Sequence, residues 1–376
     1  MDAPGSRPAD LRVLVVTPDF PPQGGGIQLL LERVVRNAPG LDVRVLTLGH
    51  PEAGGFDEQT KIDVRRVSSV EAERRLAVLR LNARSLGEAR RFRPDVILSG
   101  HVIVSLGAIL LRRTLRIPLV QYVHADELRG RSRVGAVAVR HADAAIAVSG
   151  YTRDLVVAAG ADRARVHVIH PGVDLPDEPA AARDQTPTLL TVASLLFRYK
   201  GHDVMVKALP EIRTRVPNAR WVVIGDGPLR PEIEAAVDLA GLDETVEFLG
   251  RTADAERNRW FDRAWAFCMP SRIPRAGIGG EGFGIAYMEA AAHRLPTIGG
   301  NVAGALDAVV DGETGLLVDP TDHLAVAAAA VELLSDRERA EAMGRAGRRY
   351  AEEHGWPRIA VQVEGLLREV AGKGVA

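Results

Sequence analysis

The 376-residue chain has a single cysteine, Cys268. No intrachain disulfide can form, and no cysteine-based metal site can be built. Within Ala266-Phe-Cys-Met269 that thiol reads as a small core residue. Lysine is scarce: Lys61, Lys200, Lys207 and Lys373 are the only ones, and arginine carries the remaining positive charge. A Gly-Lys-Ser/Thr triplet is absent, which excludes a Walker-type phosphate loop. No stretch approaches the ~18 uninterrupted apolar residues of a membrane-spanning helix. The first ten residues lack the apolar run of a secretory signal and read as a disordered tail. A net charge of −1 gives no nucleic-acid footprint. At 46% hydrophobic and 26% charged, the composition is that of a soluble globular protein, expected in the cytoplasm and able to lie against a membrane.

Short apolar runs alternate with helical stretches along the chain. Leu11 to Val16, Val43 to Thr47, Asp95 to Leu98, Leu119 to Val123, Ala144 to Val148 and Val166 to Ile169 read as strands. That alternation is the βαβ pattern of a doubly wound parallel sheet. The Pro-rich, charged stretch Leu175 to Pro187 interrupts it. A second alternation follows, with strands at 188–192, 220–224, 246–249, 265–269, 297–298 and 315–318. Helices are expected at 323–335, 337–353 and 356–370. The expected organisation is therefore α/β with two Rossmann-like domains facing across a cleft. The first spans 1–178, a linker 179–187, the second 188–355, and a last helical segment 356–376.

The segment Glu281-Gly-Phe-Gly-Ile-Ala-Tyr-Met-Glu289 sets two carboxylates eight positions apart around a glycine turn. A turn opening a helix presents backbone N–H groups to an anion. Gly282 and Gly284 would let that backbone approach a ligand. Glu289 would lie about one turn into the helix. Such a segment offers two hydroxyl-binding carboxylates beside a phosphate-binding turn, the needs of a nucleotide sugar. A plainer origin is also open, since a Glu near a helix N-terminus stabilises the macrodipole without any ligand. The Gly/Pro-rich loop 270–280 precedes the segment, after a buried strand. Gly24-Gly-Gly26 is no dinucleotide fingerprint, because Thr17 to Gln23 separate it from the first strand.

With these residues in hand, the chain resembles glycosyltransferase family 4, retaining enzymes of the GT-B fold. The resemblance covers nearly the whole chain. It rests on the Glu-x7-Glu segment and on an ordered set: Asp19 to Gln28, His124, Ala147-Val-Ser149, Val168 to Asp174, Tyr199-Lys-Gly-His-Asp203, Val223 to Pro228 and Asp311 to Pro320. The first of these looks most like the phosphatidyl-myo-inositol mannosyltransferase branch.

The resemblance implies roles. Lys200 would meet the donor diphosphate, with the amides of Gly282, Phe283, Gly284 and Ile285. Glu281 would bind hydroxyls of the transferred sugar and Glu289 the ribose diol. Gly25 and Gly26 would approach the diphosphate from the N-terminal domain. Gly225 would lie near the nucleotide and Arg251 near its base. His124 would stand beside the reacting carbon, making His124, Glu281 and Lys200 the catalytic set. Asp126 and Glu127 would orient His124 or meet the acceptor. The family pairs its lysine with an upstream arginine, but here that segment reads Ala193-Ser-Leu-Leu-Phe197. Arg198 is the candidate replacement; the alternative is that it points to solvent.

No Asp-x-Asp occurs, so a metal-held diphosphate is not expected, and no cofactor or metal is implied beyond the nucleotide-sugar co-substrate. The expected reaction is retaining transfer of a hexose to a hydroxyl acceptor on a lipid, polysaccharide or secondary metabolite. GDP-mannose is the favoured donor, with UDP-sugars open. An epimerase or sugar phosphorylase on the same plan, or a non-catalytic nucleotide-sugar-binding subunit, are the alternatives. Arg65, Arg66, Arg74, Arg75, Arg80, Arg84, Arg90, Arg91 and Arg93 crowd one stretch. Helical spacing puts Arg80, Arg84 and Arg91 on one face. That face is either simply solvated or a contact for anionic lipid at the inner side of a membrane.

Overall fold

The computed structural model describes residues 10–22, 25–67, 74–130, 132–177, 183–274 and 280–375. The N-terminal tail 1–9, Gly24, part of the expected linker (179–182) and the middle of the 270–280 loop (275–279) lie outside the described residues. The chain divides into two compact units, residues 1–172 with 356–376, and residues 173–355.

Unit 1 is built on seven parallel strands. They are β1 (Leu11–Val16), β2 (Leu41–Leu48), β3 (Asp63–Val67), β4 (Val96–Ser99), β5 (Leu119–Val123), β6 (Ala144–Ala147) and β7 (Val166–Val168). Their order is β3-β2-β1-β4-β5-β6-β7. Unit 2 carries six: β8 (Thr188–Val192), β9 (Arg220–Ile224), β10 (Val246–Gly250), β11 (Ala266–Met269), β12 (Thr297–Gly300) and β13 (Gly315–Val318), in the order β10-β9-β8-β11-β12-β13.

A parallel sheet is covered by helices on both faces, so its strands read as continuous apolar runs. β4, β5, β6, β11 and β12 are buried at every position. The helices show the complementary pattern: Gly26–Arg36 buries Leu30, Leu31, Val34 and Val35. The edge strand β3 escapes the apolar rule, because Asp63-Val-Arg-Arg-Val67 is half exposed and charged. The last helix, Trp356–Lys373, buries Ile359, Val363, Leu366, Leu367 and Val370 in unit 1, and Arg368 Nη2 donates to Gly40 O at 2.6 Å.

Two boundaries differ from the sequence reading. Unit 2 begins at Val173, whose N–H donates to His354 O at 3.0 Å and which bridges to Gly355. Residues 183–187 are clamped rather than free. The Arg183 guanidinium donates to the carbonyls of Phe261, Asp262, His293 and Arg294, which end two helices, and Trp265 Nε1 donates to Asp184 O at 2.7 Å. A charged, Pro-rich composition hides such a clamp, because its partners are carbonyls rather than side chains.

Strand order fixes where a ligand can sit. In unit 2 the order reverses between β8 and β11; in unit 1 it reverses between β1 and β4. Loops leaving the carboxyl ends of two such strands diverge to opposite faces and leave a crevice.

Candidate active site

Lys200 and Glu281 both come from that switch point. β8 leads through residues 193–197 into a single 3-10 turn, Arg198–Lys200, which Gly201 ends at φ 86°. A Cβ on Gly201 would come within 2.4 Å of Pro270 O, so only glycine allows this turn to pack against the end of β11. β11 leads to Glu281, and the helix Ile285–Ala292 starts after Gly284, which has φ 95°.

Lys200 Nζ and Glu281 Oε2 meet at 2.5 Å, with side chains 16% and 11% exposed. The pair joins the two loops across the crevice. Nearby, Tyr287 is fully buried beneath the glycine turn. Its hydroxyl donates to Met269 O at 2.5 Å and lies 3.0 Å from Ser271 Oγ. On the other side, Gly304 N–H donates to Glu281 O at 2.9 Å. The turn is therefore held at both flanks, which fixes the direction of the Glu281 side chain. Gly225 has φ 138°, and a Cβ there would lie 2.0 Å from Ala193 O. The turn after β9 thus packs directly on the loop after β8.

Glu289 lies in the second turn of its helix, 3.3 Å from Arg257 Nη2. Burial raises its pKa above the ordinary carboxylate value; Arg257 opposes that rise, and Asp174 and Asp254 add to it. Arg257 was not foreseen from the sequence. It belongs to the helix Asp254–Arg263, which reads as a charged surface helix. Arg272 is a second unforeseen residue. Its guanidinium binds both oxygens of Asp203 at 2.9 and 2.8 Å, and its N–H donates to Tyr199 O. It secures the loop after β11 to the lysine turn.

Arg198 does not join Lys200. It is half exposed and pairs with Glu232. The backbone explains the correction: in a 3-10 turn, side chains two positions apart point about 240° around the axis, so Arg198 and Lys200 diverge. Arg251 is exposed just beyond β10, where Gly250 at φ 67° ends the strand.

In unit 1, Gly25 precedes the helix Gly26–Arg36 and Leu29 N–H donates to its carbonyl at 3.0 Å. His124 leaves the carboxyl end of β5 with its ring stacked on Tyr122, centroids 5.5 Å apart. Burial depresses its pKa to about 4, so the imidazole is neutral near pH 7. Glu127 is buried and fully engaged. Its Oε2 accepts from His124 N–H at 2.7 Å, and its Oε1 accepts from Val102 N–H at 3.0 Å and lies 2.7 Å from His101 Nδ1. Burial alone would raise the Glu127 pKa; its contact with His101 and the hydrogen bond from His124 N–H outweigh that and lower it below the ordinary carboxylate value. Through these contacts Glu127 braces the backbone that carries His124. Asp126, next to it, is exposed.

Two doubly wound parallel-sheet units, one with a carboxylate–lysine pair at its switch point and a glycine turn opening a helix, define a GT-B glycosyltransferase. The family model for Glycosyltransferase Family 4 matches residues 24–176, and that for Glycosyl transferases group 1 matches residues 176–350. The chain belongs to this glycosyltransferase family. It is 33% identical over 391 residues to a GDP-mannose-dependent alpha-(1-6)-phosphatidylinositol monomannoside mannosyltransferase of Mycobacterium tuberculosis, covering 95% of this chain and 98% of the relative. The protein of that name from Mycolicibacterium smegmatis is 34% identical over 366 residues, covering 90% and 93%. Among solved structures, the sucrose-phosphate synthase of Thermosynechococcus elongatus superposes with a TM-score of 0.82 at 20% identity, covering 96% of this chain and all of that one. Anabaena HepE in complex with UDP and glucose gives 0.79 at 20%, covering 95% and 99%.

The support behind Glu281 can be tested directly. A Cβ on Gly304 would lie 2.3 Å from Gly282 O and 2.5 Å from Phe283 Cα. Gly304→Ala should therefore displace the glycine turn, costing about 1–3 kcal/mol by overpacking and lowering turnover by about a hundredfold. Gly365→Ala, where nothing lies within 4 Å of the new methyl, should leave both unchanged. Thermal unfolding and donor turnover of the two variants check this.

Proposed function

We propose that the protein transfers mannose from GDP-mannose, with retention and without a metal, to a hydroxyl of an inositol lipid. The observation that carries the donor and acceptor is full-length similarity to the two mycobacterial mannosyltransferases. Unit 2 supplies the donor side. Glu281 accepts hydroxyls of the transferred sugar, and Glu289 accepts the ribose diol. Lys200 and the amides of 282–284 meet charge as it develops on the leaving diphosphate, the usual large term in such catalysis. Lys200 is already held within the crevice by Glu281, so its charge needs no large reorganisation. Gly225 and Arg251 flank the nucleoside. A front-face reaction needs no covalent nucleophile, and the donor phosphate takes the acceptor proton. Unit 1 supplies the acceptor side, with neutral His124 as a hydrogen-bonding partner rather than an acid and Glu127 holding its backbone.

Among the described residues, no helix is long and apolar enough to cross a membrane, and no cluster of three or more His, Cys, Asp or Glu could hold a metal. A lipid acceptor then calls for a surface contact. The helix Arg74–Phe92 offers one, with exposed Arg80, Arg84 and Arg91 alongside Leu76 and Leu79, 47% and 61% exposed. Glu88 lies 3.5 Å from Arg84 and 3.7 Å from Arg91 and offsets part of that charge. Arg66 is unavailable, since it holds Asp57 and the carbonyls of Leu48 and Pro21. Co-sedimentation with anionic liposomes should be seen at low salt and fall as ionic strength rises, because such attraction is screened over ~8 Å at 0.15 M. Binding that is absent or indifferent to salt would remove the membrane from this account.

The reaction is tested with labelled GDP-mannose and phosphatidylinositol or its monomannoside in EDTA-treated protein, with UDP- and dTDP-sugars as controls. Transfer of label to lipid is the expected result; transfer only from another donor, or only after Mg²⁺ or Mn²⁺ is restored, contradicts the reading. The two carboxylates should fail differently. Glu281→Ala should depress turnover while GDP still binds. Glu289→Ala should weaken GDP itself by roughly 1.5–3 kcal/mol, the worth of a charge-assisted hydrogen bond. Calorimetric titration decides it, because GDP lacks the sugar and registers only the ribose contact.

A further inference from the structure

Arg257 has no part in the site read from the sequence, yet the folded chain brings it to Glu289. The helix Asp254–Arg263 follows the end of β10, and its first turn faces the helix that carries Glu289. The guanidinium spans two carboxylates. Nη1 lies 3.0 Å from Asp254 Oδ1 and Nη2 lies 3.3 Å from Glu289 Oε1. The two partners are unlike. Asp254 is 83% exposed, so water screens it and it gains little from the contact; Glu289 is 20% exposed and gains much more. Arg257 Nε is buried with no hydrogen-bond partner among the described residues. The guanidinium is held through its two terminal nitrogens. Asp254, one turn earlier on the same helix, steadies the guanidinium, and the free consequence falls on Glu289.

We propose that Arg257 is the positioning residue of the ribose-binding carboxylate: it orients Glu289 and keeps it ionised, so nucleotide affinity depends on Arg257, and increasingly so as pH falls. The proposal rests on the reading that Glu289 binds the ribose. A carboxylate accepts hydrogen bonds from both hydroxyls of a diol, whereas a protonated carboxyl gives up part of that capacity. The charged groups acting on Glu289 are Arg257 and Asp254 on one helix and Asp174 beyond β7, and only Arg257 is positive. Burial and the two aspartates already push Glu289 toward the protonated form. Removing the one opposing charge moves its titration further up, toward the working pH. Affinity should then be lost on the acid side first, because binding needs the ionised form.

The test is calorimetric titration of GDP into the wild-type chain, Arg257→Ala, Arg257→Lys, Glu289→Gln and the double variant Arg257→Ala/Glu289→Gln, between pH 6 and pH 8.5. Quoting each dissociation constant relative to wild type at the same pH cancels the titration of the nucleotide's own phosphate. Arg257→Ala should bind about tenfold or more weakly at pH 6, with the deficit shrinking severalfold by pH 8.5. Arg257→Lys should keep the wild-type pH profile, because it keeps the charge. In the Glu289→Gln background, Arg257→Ala should add nothing further, since coupled residues are not additive. A deficit in Arg257→Ala that is the same at every pH, or that persists in full beside Glu289→Gln, overturns the proposal and makes Arg257 a direct ligand or a packing residue. If Glu289→Gln itself leaves GDP affinity unchanged, the ribose reading has failed and the proposal falls with it. Should Arg257→Ala fold poorly, Arg257→Lys and Arg257→Gln carry the comparison, one keeping and one removing the charge.

Discussion

The contact on which the unit 2 crevice depends is the ion pair between Lys200 and Glu281, 2.5 Å long and mostly out of water. Neither charge could be left there alone, because removing one partner of a buried pair strands the other. Their meeting is a consequence of strand order. β8 and β11 are neighbours at the point where the sheet reverses, so the loop after one and the loop after the other diverge around a single crevice. Several contacts serve that meeting. Gly201 lets the lysine turn pack against Pro270, Arg272 ties the two loops through Asp203 and Tyr199, and Gly304 and Tyr287 hold the glycine turn. A diphosphate competing for Lys200 and a sugar competing for Glu281 would replace this pair by two ligand contacts at little cost in desolvation.

Unit 1 presents a neutral imidazole instead. His124 is held by stacking on Tyr122 and by Glu127 on its backbone N–H, and burial keeps it uncharged. The negative charge of Glu127 is absorbed by two backbone N–H donors and by His101, so it fixes the loop without charging the imidazole. A fixed, uncharged ring suits a contact with sugar hydroxyls better than a mobile cation would.

Much of this was legible in the sequence. Buried parallel strands must be apolar throughout, so 11–16, 119–123 and 188–192 announce themselves as runs, and the helices between them as amphipathic stretches. β3 does not, because an edge strand with Arg65 and Arg66 carries no such run. The carboxylates at 281 and 289 were visible because the glycine turn and the helix lie in one continuous segment. Arg257 was invisible because its partner is thirty-two positions downstream, in another helix, and its own helix looks like any solvated one. For Arg198 the sequence left two directions open, toward Lys200 or toward solvent, and local geometry decides between them. Proximity to Lys200 in sequence implied proximity in charge, but the 3-10 turn sends the two side chains apart and Glu232 takes the arginine. Glu127, which the resemblance would have orient His124 or meet the acceptor, is turned inward.

The central claim is that one crevice in unit 2 exchanges its Lys200–Glu281 ion pair for a nucleotide sugar. It is tested most directly by a crystal structure of the protein with an unreactive analogue of GDP-mannose, grown without divalent metal. The account predicts Lys200 Nζ moved from Glu281 onto a phosphate oxygen, Glu281 on hydroxyls of the sugar, and Glu289 on the ribose diol with Arg257 still beside it. Lys200 still paired with Glu281, with the nucleotide bound elsewhere or its diphosphate held only through a metal, would contradict it.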